Sequence, residues 1–142
     1  MKFGKYAICD TITHTLEKEP LWFWKIDPPT SGDELAMSRF LIQNRIEMGP
    51  DGVRRELPPT NTEICHREIA LTFAGTNIPA DMDAPVEDGG EPLVKDKATI
   101  EMIEASLRQM PHLLVLEIWD ALGEAVIGWG PARPKAKTTS QS

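Results

Sequence analysis

Cys9, His14, Cys65 and His66 carry the side chains of this sequence that a zinc ion would choose, since thiolate and imidazole are its preferred donors. A zinc site here would need the Cys9 to His14 segment and the adjacent Cys65-His66 pair to converge, and neither spacing matches a compact zinc motif. Cys65 and His66 also fail as nucleophile and base. Neighbours on a helix point about 100° apart and do not face each other. Glu63, His66 and Glu68 crowd one helical turn without the HExxH spacing of a zinc protease, so a solvated face is expected. Asp81, Asp83, Glu87, Asp88 and Glu91 gather carboxylates of the kind calcium takes. Pro85, however, fills the third ligand slot counted from Asp81, where an EF-hand needs an oxygen donor. No GxxxxGK[ST], GxGxxG or GxSxG stretch occurs, so phosphate cradles and nucleophile elbows lack their usual sequence. The chemistry-bearing residues therefore read as structural: Cys9 and Cys65 as buried free thiols, His14 on a sheet face, His66 on a helix surface. No metal or cofactor is expected.

The totals restrict the partners. Fifteen basic against 22 acidic residues give a net charge of -7, which argues against a phosphate-binding surface and hence against nucleic acid. Arg133, Lys135 and Lys137 form the one basic stretch without acidic neighbours. At 142 residues, 41% hydrophobic and 26% charged, the chain reads as one globular domain able to bury a core without staples. No apolar run approaches the roughly 20 residues of a membrane-spanning helix. Met1-Lys2-Phe3-Gly4-Lys5 leads into no apolar stretch with a small-residue cleavage site, so a cytoplasmic protein is expected, not a membrane protein.

The elements that position these residues are organised around Asp96 to Pro131, where two helical patterns run nearly back to back. Ile100, Ile103, Leu107 and Met110 align on one face of the first. Asp96 is its expected N-cap, and Lys97/Glu101 and Glu104/Arg108 are its four-apart ion pairs. Pro111 ends that helix and opens the next, about His112 to Ile127, whose Val115, Ile118, Leu122, Ala125 and Val126 share a face against Glu117, Asp120 and Glu124. Leu113, Leu114, Leu116 and Trp119 widen its apolar arc. An arc this broad needs cover from more than one neighbour, in the core or at an interface. Gly123 in mid-helix points to a close crossing or a bend, and Gly128-Trp129-Gly130-Pro131 stops the helix.

Upstream, Ile12, His14 and Leu16 alternate with Thr11, Thr13 and Thr15, and the aromatic run Leu21-Trp22-Phe23-Trp24-Lys25-Ile26 follows a short spacer, which predicts an antiparallel hairpin. A lone hairpin is marginal in water, so a further strand, expected at Phe3 to Ile8, or the helices must support it. Ser31-Gly32-Asp33-Glu34 fits a capping box opening a helix with Ala36, Met37, Phe40 and Leu41 inward and Arg39, Gln43 and Arg45 outward. Pro50-Asp51-Gly52 is a turn, after which Val53 to Leu57 alternates as a short strand to pair with Ile46 to Met48. Thr60-Asn61-Thr62-Glu63 opens a further helix along which Cys65, Ile69 and Phe73 line up until Gly75. The expectation is an α+β domain over 1–130, an N-terminal aromatic hairpin packed on about four helices. An exposed acidic loop spans about 77–95, and a disordered tail follows over 131–142.

Trp22-Phe23-Trp24, then Pro28-Pro29-Thr30-Ser31-Gly32-Asp33-Glu34, an acidic loop, and a helix ending in Gly128-Trp129-Gly130-Pro131 resemble small proteins of phage and prophage tail-gene clusters, tail assembly chaperones and related tail accessory proteins. That resemblance implies a non-enzymatic protein of the host cytoplasm that shields or orders phage tail components. The broad apolar arc is the surface expected to meet such a partner or a second copy, with Leu114, Trp119, Leu122 and Trp129 as candidate interaction residues. One departure stands out, because such chaperones are expected to be mainly helical and Thr11 to Ile26 reads as strands. Two other readings stay open: a virion structural component of the connector or tail-completion type, which would oligomerise, and a small metal-dependent enzyme, which would need Cys9, His14, Cys65 and His66 to converge.

Overall fold

The computed structural model describes residues 10–43, 45–83, 91–95 and 97–132. The expectations for a strand at Phe3 to Ile8, for Cys9, for Asp96 as a cap, for Pro85, Glu87 and Asp88, and for the tail from Arg133 lie outside them.

The N-terminal alternation becomes strand β1 (Ile12–Thr15), which pairs antiparallel with β2 (Phe23–Ile26) from Ile12 opposite Ile26 to Thr15 opposite Phe23. Period-2 geometry sends Trp24 and Ile26 to the buried face, where both are almost fully enclosed. The third strand comes from elsewhere in the chain. Strand β5 (Phe73–Thr76) pairs antiparallel with β2, so the sheet order is β1-β2-β5. This corrects the expectation that Phe73 extends the preceding helix. That helix, α2 (Asn61–Leu71), ends at Thr72, whose hydroxyl donates to the Glu68 carbonyl at 2.8 Å and whose own carbonyl accepts from the Asp27 amide. Phe73 then meets Trp24 edge to face, with ring centroids 5.0 Å apart. A free edge of β2 and an aromatic partner override the helical spacing.

Helix α1 (Ser31–Ile42) starts one residue earlier than expected. Thr30 is the N-cap and Asp33 closes the box, with the Asp33 amide donating to Thr30 Oγ1 and the Thr30 amide to Asp33 Oδ2. The second box forms as expected at Thr60 and Glu63. Between α1 and α2, β3 (Arg45–Met48) and β4 (Arg54–Leu57) pair antiparallel around the Pro50-Asp51-Gly52 turn, which places Arg45 in a strand and not on α1. From Arg54 to Glu56 this hairpin is exposed, as are Ile46, Met48 and Val53.

Helix α3 (Ile100–Gln109) is capped by Thr99, which accepts from the Met102 amide. Lys97 lies before the helix at φ 62°, so Lys97 and Glu101 are not a helical pair. Helix α4 (His112–Ala125) follows Pro111 directly, and its Val115, Ile118 and Leu122 are buried together with Val126 just past its end. The chain then turns back at Gly128 and Gly130, both with positive φ, into a short 3-10 turn at Gly130–Ala132. There Gly130 lies against Gly123. A Cβ on Gly130 would sit 2.4 Å from the Gly123 Cα, so the mid-helix glycine marks the close approach of this turn to α4.

The core runs between the inner face of the sheet and the helices, from Trp24 and Ile26 through Met37 and Ile69 to Ile118 and Trp129. The segment read as an acidic loop is anchored at both ends. Ile78 and Val94 are buried, and the Leu93 amide donates to the Ile78 carbonyl at 2.7 Å. Among the described residues, no helix is long and apolar enough to cross a membrane.

Candidate functional site

Helix α4 is too broadly apolar for the core to cover, and the first turns of its uncovered side form one wall of a groove. The facing wall is the β1–β2 connection, held in shape by hydrogen bonds from the Leu16 amide to the Trp22 carbonyl and from the Trp22 amide to the Glu19 carbonyl. Leu16, Trp22, Leu113, Leu114 and Leu116 line the groove, which has a volume of about 600 Å³. Leu113, of this lining, is 74% exposed. Glu17, Glu19, Glu117 and Asp120 stand around it, with Lys18 as the single cation among the described residues.

His14 and Glu117 lock the two walls together. His14 Nε2 lies 2.6 Å from Glu117 Oε2, and the same carboxylate oxygen accepts from the Glu17 amide at 3.0 Å. His14 thus sits on a sheet face, as the alternation requires, and its ring holds the turn against α4.

The four candidate interaction residues divide. Leu122 and Trp129 are in the core, and Trp129 donates its indole N–H to Glu34 Oε1 at 2.6 Å. Leu114 and Trp119 are half-buried, Leu114 lining the groove and Trp119 donating to Glu68. Leu16, Trp22, Leu113 and Leu116 line the groove without being among the four candidates. Leu113 follows the first residue of α4 and falls off its buried stripe of Val115, Ile118 and Leu122, a signal visible in the helical spacing.

Glu68 overturns the expectation of a solvated face on α2. It is wholly enclosed, and its Oε1 accepts both the Trp119 indole N–H at 2.7 Å and the Gly130 amide at 2.8 Å. Positions 65, 68, 69 and 72 fall at i, i+3, i+4 and i+7, so Glu68 shares the buried stripe of Cys65 and Ile69.

A second cleft of about 410 Å³ opens between α2 and α3, with Phe40, His66, Arg67 and Arg108 among its lining residues. Here the expected Glu104/Arg108 pair is replaced. Glu104 takes Arg67 in a two-point bond, Nε to Oε2 at 2.8 Å and Nη2 to Oε1 at 3.3 Å, while the Arg67 guanidinium stacks 4.6 Å from the Phe40 ring centroid. Burial, with the Arg108 charge next and His112 behind it, holds the His66 imidazole below its ordinary pKa against the opposing pull of Glu104.

Cys65 is buried, and burial, with Glu68 and Asp120 adding negative charge, pushes its thiol up to about 12. A thiol so held is protonated at neutral pH, which does not suit a nucleophile. His14 is engaged by Glu117 and His66 lies on the α2–α3 side. Among the described residues, no group of three or more His, Cys, Asp or Glu side chains is arranged to hold a metal ion. Comparison of the chain with protein-family models, with curated proteins and with solved structures finds no match.

Proposed function

We propose that this chain is a protein-interaction protein that assists phage or prophage tail assembly in the host cytoplasm without catalysis, receiving a segment of a tail component in the α4 groove. The observation that carries the reading is the groove itself, an apolar cleft that leaves Leu113 in water. Apolar side chains collected in one concave place favour a partner that removes them from solvent. The tail class comes from the resemblance, and its residues bear on the groove and on its support. Trp22 lines the groove, Trp24 is in the core, and Glu34 and Trp129, from two separate parts of the resemblance, bond to each other.

Co-expression with the structural proteins of a phage tail, followed by co-purification, tests this reading. Because Leu113 is exposed, Leu113→Asp leaves the fold intact and is expected to abolish co-purification. Equal recovery of the partner with Leu113→Asp would sink the groove as the binding surface.

The β3–β4 hairpin favours a second reading, a virion structural component that uses it as a contact arm. Ile46, Met48 and Val53 are exposed on this two-stranded hairpin, which forms a sheet of its own. A stable ring seen by light scattering, broken by Ile46→Asp, would favour that reading over a chaperone.

A further inference from the structure

We propose that the occupant of the α4 groove is a basic amphipathic segment of a partner protein, its apolar side chains seated on Trp22, Leu113 and Leu114 and its lysines or arginines facing Glu17, Glu19 and Asp120. This rests on the reading of the chain as a protein-interaction protein and adds the chemistry of the partner.

Among the described residues, four carboxylates and one ammonium line the groove, and the carboxylates are not equivalent. Glu117 is engaged by His14 and by the Glu17 amide. Glu17, Glu19 and Asp120 have no ion-pair partner among the described residues. Glu17 and Asp120 are exposed and Glu19 half-buried, so these like charges repel one another around the apolar floor, and the negative field they project at the groove is screened by salt. An apolar segment without cations would cover the floor while stripping water from these carboxylates, an uncompensated cost. One with cations at its flanks covers the floor and neutralises the rim in the same step. Helix-in-groove recognition fits this arrangement, a few apolar anchors on one side of the segment and charges on the other.

A second copy of the chain is the weaker occupant. A two-fold contact through this face would set the same acidic rim against itself, on a protein whose net charge is already -7.

The probe is a pair of labelled peptides of about four helical turns, with the same leucine stripe and either lysine or glutamate on the remaining face. Each is titrated with the full-length chain by fluorescence anisotropy. The Leu/Lys peptide is expected to bind at least about tenfold more tightly than the Leu/Glu peptide, a difference that shrinks as salt screens the rim. Glu19→Lys with Asp120→Lys should weaken the Leu/Lys peptide by about tenfold, and Glu101→Lys, at an exposed position of α3, by less than about twofold.

Equal binding of the two peptides would overturn the basic partner while leaving the groove as an apolar docking site. An equal loss from Glu101→Lys would overturn it too, as attraction to an acidic protein at large. Affinity that rises when Arg133, Lys135 and Lys137 are all changed to glutamine would assign the groove to the chain's own basic stretch. If neither peptide binds and Leu113→Asp does not disturb co-purification, the groove reading fails along with it.

Discussion

The Trp119 indole donates to the Glu68 carboxylate at 2.7 Å, and the oxygen that receives it also receives the Gly130 amide at 2.8 Å. One buried side chain of α2 therefore holds both α4 and the turn that follows it. The consequence is an asymmetry between two substitutions. Glu68→Ala leaves the buried Gly130 amide and the half-buried Trp119 indole without this acceptor and opens a cavity, and should cost about 3 kcal/mol or more, given about 1–3 kcal/mol for each unsatisfied group. Glu68→Gln keeps an amide oxygen for the same donors and should cost about half as much. Urea titrations at neutral pH measure both. Equal losses would mean that packing, and not the shared acceptor, sets the role of Glu68.

Gly130 and Gly123 touch backbone to backbone, and the demands on them differ. A Cβ on Gly130 would lie 2.4 Å from the Gly123 Cα and 2.6 Å from its nitrogen, at φ 79°, so Gly130→Ala must move the turn away from α4. A Cβ on Gly123 would meet Pro131 Cδ at 3.1 Å and the Trp129 carbonyl oxygen at 3.2 Å, tight contacts set against a gain of about 1 kcal/mol in helix propensity. Gly130→Ala is expected to lower stability by at least about 2 kcal/mol, combining left-handed strain with the lost packing. Gly123→Ala should fall within about 1 kcal/mol of the unaltered chain. Chemical denaturation of the two variants side by side reads the difference, and a Gly130→Ala protein as stable as wild type would contradict the close approach.

Much of this fold is legible in the residues. Alternation from Thr11 to Leu16, the Thr60 to Glu63 box and the stripe of Val115, Ile118 and Leu122 are local signals, and each element forms where its pattern lies. Non-local competition explains the misses. Phe73 continues the Cys65, Ile69 spacing by sequence, yet β2 offers a free edge and Trp24 an aromatic face, and no local pattern records either. Glu104 stands four residues from Arg108 but bonds Arg67 of another helix, which supplies a fork geometry and a Phe40 platform. At the groove, the apolar arc of α4 is readable, but which of its leucines remain uncovered depends on the β1–β2 connection, whose Glu17 meets Glu117 across 100 residues of chain.

His66 links the α2–α3 cleft to pH. Its pKa is lowered in the folded protein by burial first and by Arg108 next, whereas the unfolded chain protonates near the ordinary value of 6.5. As the pH falls below about 6.5 the unfolded state takes up a proton that the folded state resists, so this residue makes the protein less stable toward acid. His66→Gln should flatten the decline in stability between pH 7 and pH 5.5, measured by denaturation at each pH. Arg108→Gln should move the His66 pKa upward, read from its imidazole proton shifts by NMR. An Arg108 variant with an unchanged His66 titration would show that the guanidinium does not act on the ring.

The β3–β4 hairpin offers the last test, because its contribution to the body is separable from its contribution to contacts. Arg45 is opposite Leu57 across the ladder, so the two ends of the hairpin are adjacent and a short Gly-Ser bridge can replace what lies between them. Exposed Ile46, Met48 and Val53 contribute little to the core, and an isolated pair of strands has little stability of its own. Replacement of 46–56 is therefore expected to change the unfolding free energy by less than about 1 kcal/mol, in line with the tolerance of surface loops to length changes. The same deletion should leave binding of the Leu/Lys peptide at the α4 groove intact if the groove acts alone. Should the shortened protein instead fold normally and lose a self-assembled ring, the hairpin would be the contact arm of a structural component, and light scattering on the two proteins separates these outcomes.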